Sequence, residues 1–102
     1  MLHDLEFARK KEIIQRFRAN IYEAFNNECV YCGDEAKSLD HAKPKAKGGE
    51  TVSSNLLPAC LPCNRGKGSQ PIFDWYRKHA SWTEEREKAI ANWLFYRSIK
   101  PM

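Results

Sequence analysis

Long apolar runs are missing from this sequence. The longest spans only a few residues, far short of the roughly 20 a bilayer-crossing helix needs, which excludes a membrane span. There is no internal repeat, low-complexity tract or Gly/Pro-rich linker that would divide the chain. The opening Met-Leu-His-Asp-Leu-Glu has neither a basic start nor an apolar core, so no secretory signal is read and the expected location is cytoplasmic. Cysteine is scarce as well, with four in 102 residues. With no sign of an oxidising compartment, a disulfide framework is the weaker reading of them.

What the four cysteines do have is spacing. They form two pairs, Cys29-x-x-Cys32 and Cys60-x-x-Cys63. Each such turn can present two thiolates to one side of an ion, and two turns close a tetrahedral Zn²⁺ shell. A chain of 102 residues with 42% hydrophobic content reads as one globular domain. A core of that size gains from a metal staple.

Charge is informative by position. The formal net charge is +4, from 17 Lys and Arg against 13 Asp and Glu. Between Ala36 and Gln70 there are six basic residues against two acidic ones, and the rest of the chain is balanced. The excess therefore lies wholly in the 36–70 segment, where charge alone is equally consistent with a phosphate-bearing partner and with a solvated basic loop.

Periodicity predicts a helix from Asp4 to about Phe25, with Phe7, Ile14, Phe17, Ile21 and Phe25 along one stripe, Asp4 as N-cap and Asn26-Asn27 as the stop. That stripe reads as core packing, with a solvated basic opposite face. Ser38 to Ala42 reads as a short strand, Lys43 to Glu50 as a basic loop closed by Gly48-Gly49, and Asn55-Leu56-Leu57 as a second strand. A helix opens at the second cysteine pair and is kept short by Gly66 and Gly68. Helical pattern resumes after Pro71 up to His79. A final helix starts from Ser81 with Glu84, or from the rival cap Thr83, and ends at Pro101. The domain thus divides into a helix over 1–27, a zinc-bound ββα core over 28–70 and helices over 71–102.

Between the cysteine pairs lies a set of polar residues suited to chemistry: Asp40-His41, then Gly48-Gly49, then Asn55-Leu56. Asn64 follows Cys63 directly and leads into Arg65-Gly66-Lys67-Gly68. In this order and spacing the segment from Cys29 to about Gly68 resembles the HNH, or ββα-metal, endonuclease family. It is similar to the zinc-binding subset with Asn, not His, as the third motif residue. The resemblance implies an α+β fold: a small, zinc-stapled, treble-clef-like ββα-metal core flanked by N- and C-terminal helices.

Carried over residue by residue, the resemblance implies His41 as general base and Asp40 as a ligand of the catalytic metal. It implies Asn55 as the residue that pins the loop between the strands, and Asn64 as a second metal ligand. Cys29, Cys32, Cys60 and Cys63 would hold structural Zn²⁺. Oxygen donors at Asp40 and Asn64 suit Mg²⁺ or Mn²⁺ rather than a second zinc. The implied activity is hydrolysis of DNA phosphodiester bonds to 5′ phosphate and 3′ hydroxyl ends. The source would be bacterial, phage or mobile-element. Lys43, Lys45, Lys47, Arg65 and Lys67 are the expected phosphate contacts. A homodimer would let one site per chain cut both strands, though no interface is legible. The competing reading is a zinc-dependent module that binds nucleic acid without cutting it. His3 reads as free, His79 as a cation at a helix end, and Trp75, Trp82 and Trp93 as core.

Overall fold

The structure, a computed structural model, describes residues 2–99, with side chains described for residues 6–95. Helix α1 spans Leu2–Ala24. The expected stop is real: Asn26 and Asn27 both take positive φ, at 56° and 62°, a backbone region asparagine tolerates better than most residues. The start differs, because the helix already runs at Leu2 and Asp4 lies inside it rather than capping it.

The stripe on α1 also behaves differently from expectation. Only its last turns dock: Ile21 is buried and Phe25 packs edge-on against Trp93, with ring centroids 5.1 Å apart. Phe7 is 69% exposed and Ile14 59%, so the front of the helix stands clear of the core. Periodicity reports that a helix has an apolar face; it does not report that anything covers that face.

Strand β1 spans Ser38–His41 and β2 spans Leu56–Ala59. They pair antiparallel, with Ser38 opposite Ala59 and His41 opposite Leu56. Side chains alternate along β1, so Ser38 and Asp40 share one face while Leu39 and His41 share the other. Between the strands run two short 3₁₀ turns, Lys45–Lys47 and Ser53–Asn55.

Helix α2 spans Leu61–Lys67 and packs on β1. Cys60 is its N-cap, accepting the Cys63 N–H at 3.4 Å through sulfur. Gly68 ends it, with φ +55°. Helix α3 spans Ile72–Tyr76 and α4 spans Glu84–Ile99. Of the two rival caps for α4, Thr83 holds the position: its hydroxyl accepts the Arg86 N–H at 3.1 Å. The stop expected at Pro101 lies outside the described residues, as does the side chain of His3.

The core lies between the ββα unit and the last helices. Tyr31, Leu57, Ala59, Tyr76 and Ile90 are fully buried there, with Trp75 and Trp93 packed against them. Trp93 also directs its indole N–H to the carbonyl oxygens of Ser53 and Leu56, at 2.9 and 3.0 Å. Trp82 departs from the core reading. It is 40% exposed and donates from Nε1 to Glu87, so it covers the start of α4 from outside. Among the described residues no helix is long and apolar enough to cross a membrane.

Candidate active site and metal centre

The first cysteine pair sits on a tight hairpin. Cys29 N–H donates to Asp34 O at 2.6 Å and Gly33 N–H to Cys29 O at 2.9 Å. Gly33 takes φ +86°, and a Cβ there would lie 2.7 Å from the Arg86 guanidinium. The hairpin is fastened to the sheet by Val30 N–H donating to Pro58 O at 3.0 Å. The second pair lies at the start of α2.

These elements bring all four sulfurs within 4.8 Å of one another, and none is in a disulfide. With Zn–S bonds of about 2.3 Å, the edge of a tetrahedral sulfur shell is about 3.8 Å. The sulfurs of Cys32 and Cys60 lie 3.7 Å apart, which fits. Burial and neighbouring thiols push the Cys63 thiol far up and the Cys32 thiol up to about 11. At Cys60 burial acts the same way but is outweighed by the hydrogen bonds from Cys63, so that thiol is lowered. A cluster of this kind is a metal-binding centre whose full deprotonation needs a cation, and Zn²⁺ suits its sulfur donors.

His79 lies at the edge of this centre. Its Nδ1 accepts the Ser81 N–H at 3.1 Å, which puts the ring proton on Nε2, 4.0 Å from the Cys63 sulfur. The ring packs on Trp75 rather than standing at a helix end in solvent.

Asp40 and His41, adjacent on β1, enter different surroundings. Asp40 faces α2 and is 4% exposed. Its Oδ2 accepts the Tyr31 hydroxyl at 2.6 Å and its Oδ1 accepts from Lys67 Nζ at 3.3 Å. Burial raises its pKa above the usual carboxylate value, against the pull of Tyr31 and Lys67. Asn64, one turn before Lys67 on α2, donates from Nδ2 to Ser38 Oγ at 2.9 Å. One face of α2 thus meets one face of β1, with Asn64 against Ser38 and Lys67 against Asp40. Asp40 and Asn64 share this interface but have different immediate partners. The Asn64 amide nitrogen is engaged, which leaves its oxygen as the end a cation would take. The donor chemistry, a carboxylate and an amide oxygen, fits a hard divalent ion.

His41 faces the other way and is partly exposed. Its Nε2 lies 2.9 Å from Thr51 Oγ1. Burial and the cation of Lys45 lower its pKa from 6.5, with Asp40 opposing and Lys67 adding to the shift. Asn55 clamps the loop that follows. Its Oδ1 accepts the Lys43 N–H at 2.8 Å, and its Nδ2 donates to Lys43 O at 3.1 Å and Glu50 O at 2.9 Å. Gly49 completes the clamp, since a Cβ there would fall 1.7 Å from the Lys43 carbonyl oxygen.

Lys43, Lys45, Lys47 and Arg65 are exposed around this loop and on α2. Lys67 is not. Its side chain is 0% exposed, and its ammonium is spent on Asp40 and on His41 O at 2.9 Å. It is removed from the set of expected phosphate contacts, because a buried ammonium cannot meet a backbone passing over the surface. The sequence reading also passed over Tyr31 and Thr51. Tyr31 is one of two unspecified positions between Cys29 and Cys32, and Thr51 lies in a polar stretch, so neither gave a periodic or compositional signal.

Residues 29–70 match the family model described as HNH endonuclease, so that segment is similar to an HNH endonuclease domain. The chain is 36% identical over 55 residues to the CRISPR-associated endonuclease Cas9 of Corynebacterium diphtheriae, which covers 49% of this chain and 5% of that protein. It is 34% identical over 86 residues to the SPbeta prophage-derived YoqL of Bacillus subtilis, a protein named for the HNH endonuclease family, covering 69% of this chain and 36% of that one. The chain thus spans much less than two thirds of either relative. No solved structure matches.

Proposed function

We propose that the chain is a metal-dependent DNA endonuclease that hydrolyses phosphodiester bonds. The reading is supported above all by the division of labour on β1. One strand presents a partly exposed imidazole on one face and a buried carboxylate on the other. His41 is the general base. Its lowered pKa keeps it neutral near pH 7, ready to take a proton from the attacking water. In the tautomer whose Nε2–H donates to the Thr51 hydroxyl, 2.9 Å away, Nδ1 is the basic nitrogen. Asn55 holds the loop beyond His41 and so limits where that ring can swing.

Asp40 and Asn64 would hold one Mg²⁺ or Mn²⁺, which when bound stabilises charge on the leaving 3′ oxygen. Breakage on that side leaves a 5′ phosphate and a 3′ hydroxyl. Lys43, Lys45, Lys47 and Arg65 would contact the DNA backbone, setting affinity and its dependence on salt. Cys29, Cys32, Cys60 and Cys63 would hold the Zn²⁺ that keeps the scaffold together.

One observation favours a second reading, a zinc-dependent nucleic-acid-binding module without catalysis: the Asp40 carboxylate already carries a cation, the ammonium of Lys67. A plasmid nicking assay separates the two. Nicking in Mg²⁺ that stops with EDTA and in His41→Ala supports the enzyme. DNA retention without nicking in Mg²⁺ or Mn²⁺ supports the binder, and nicking that persists in His41→Ala removes the assigned base.

A further inference from the structure

Tyr31 occupies an unusual place. It lies between the two cysteines of the first hairpin, is fully buried, and is held at both ends of its backbone. Its N–H donates to the Cys29 sulfur at 3.4 Å, and its carbonyl oxygen accepts the Tyr76 hydroxyl at 2.8 Å. Its ring meets Trp75 and Tyr76 edge-on, with centroids 5.0 and 5.2 Å away. A ring confined in this way has little freedom to move its hydroxyl. That hydroxyl ends on Asp40 Oδ2 at 2.6 Å, the shorter of the two side-chain bonds the carboxylate accepts.

The two donors on Asp40 pull it in different directions. Lys67 reaches Oδ1 at 3.3 Å while also binding His41 O at 2.9 Å, so its ammonium is divided. Tyr31 takes one lone pair of Oδ2 and fixes the plane of the carboxylate. Without the phenol, the carboxylate would lose the hydrogen bond that opposes its rotation toward the ammonium. A tighter Asp40–Lys67 pair is a poorer ligand for a divalent ion.

We propose that Tyr31 is a positioning residue for Asp40: seated in the first cysteine hairpin, it holds the carboxylate in the orientation that accepts the catalytic divalent cation and keeps it from closing on Lys67. The inference rests on the reading of Asp40 as a metal ligand. It also gives the cysteine hairpin a part in the chemistry, because the hairpin that would grip zinc carries the group that aims the carboxylate.

The test uses zinc-loaded wild type, Tyr31→Phe and Asp40→Asn, with Mn²⁺ binding read from the electron paramagnetic resonance signal of free Mn²⁺. Zinc content and far-ultraviolet circular dichroism report on the fold. Wild type should bind Mn²⁺ and Asp40→Asn should not. Tyr31→Phe should keep its zinc and its spectrum while its affinity for Mn²⁺ drops about tenfold, as loss of a hydrogen bond to a ligand typically does. Its nicking should recover at high Mn²⁺, a recovery that a merely misfolded protein would not give. Binding by Tyr31→Phe equal to wild type, with Asp40→Asn negative, overturns the positioning role alone. A wild type that binds no Mn²⁺, or an Asp40→Asn protein that binds it normally, removes Asp40 as ligand and the proposal with it. If Tyr31→Phe does not fold, wild type labelled with ¹³C at tyrosine Cζ decides the matter. The Tyr31 signal should then shift with Mg²⁺ at the midpoint of binding, and a signal that stays still overturns the proposal.

Discussion

Lys67 and Asp40 form an ion pair shut away from solvent, with Nζ 3.3 Å from Oδ1 and side-chain exposures of 0% and 4%. Two charges removed from water in this way hold each other in place: each offsets the cost of burying the other. The pair also ties the last turn of α2 to the middle of β1.

Removing the cation should therefore be expensive. Lys67→Met keeps the aliphatic stem but leaves Asp40 with Tyr31 alone. Loss of one partner of a buried pair costs about 3 kcal/mol or more, and urea denaturation at neutral pH should show a drop of that size. A midpoint unchanged from wild type would mean that the carboxylate takes up a proton or a water at little cost. By contrast, Arg65→Gln, at an exposed position two residues before it on α2, should leave stability unchanged and weaken DNA retention at low salt.

The pH profile of nicking should carry the signature of His41. The imidazole must be neutral to accept a proton, so activity rises as pH climbs through its pKa. Burial and Lys45 hold that pKa below 6.5, which places the acid limb below 6.5. Lys45→Gln removes one of the cations that disfavour the imidazolium, so the limb should move to higher pH. A limb that moves down, or stays in place, would contradict the assignment of His41 as base.

Asn55 makes three hydrogen bonds to backbone groups of Lys43 and Glu50. Asn55→Ala should cost about 1–2 kcal/mol of stability and slow nicking more than it weakens DNA retention. Hydrogen exchange at the Lys43 amide is the direct check, since that N–H loses its acceptor. Gly49→Ala should produce a similar loosening by a different route, because its methyl group would collide with the Lys43 carbonyl.

Zinc removal should unfold the ββα unit rather than merely silence it. The four sulfurs come from two segments that no disulfide joins, and the energy of binding the metal is folding energy. Cys29→Ser, or chelation of wild type, should abolish the near-ultraviolet signal of Tyr31 and Trp75, which pack beside the centre. A well-folded Cys29→Ser protein would count against the staple.

Much of the central unit was legible in the sequence because local rules govern it. The paired cysteine spacings and the glycines that close turns each state their geometry within a few residues. What escaped depends on surroundings that no local pattern encodes. Lys67 was grouped with its neighbours as a surface cation, since a sequence shows charge but not depth. Phe7 and Ile14 lie on a regular stripe that the structure leaves exposed. Trp82 reads as core from the sequence, while its indole N–H has its acceptor at the surface. The sequence places His79 at a helix end but does not show that its ring lies beside Cys63.

The indole of Trp93 and the phenol of Tyr76 both reach from the C-terminal helices into the 29–70 segment, one to Ser53 and Leu56, the other to Tyr31. That segment is therefore not a portable module. Cut out and grafted elsewhere, it would carry every motif residue yet leave behind the two ring donors that brace its strand and its hairpin, and a host protein would have to supply substitutes.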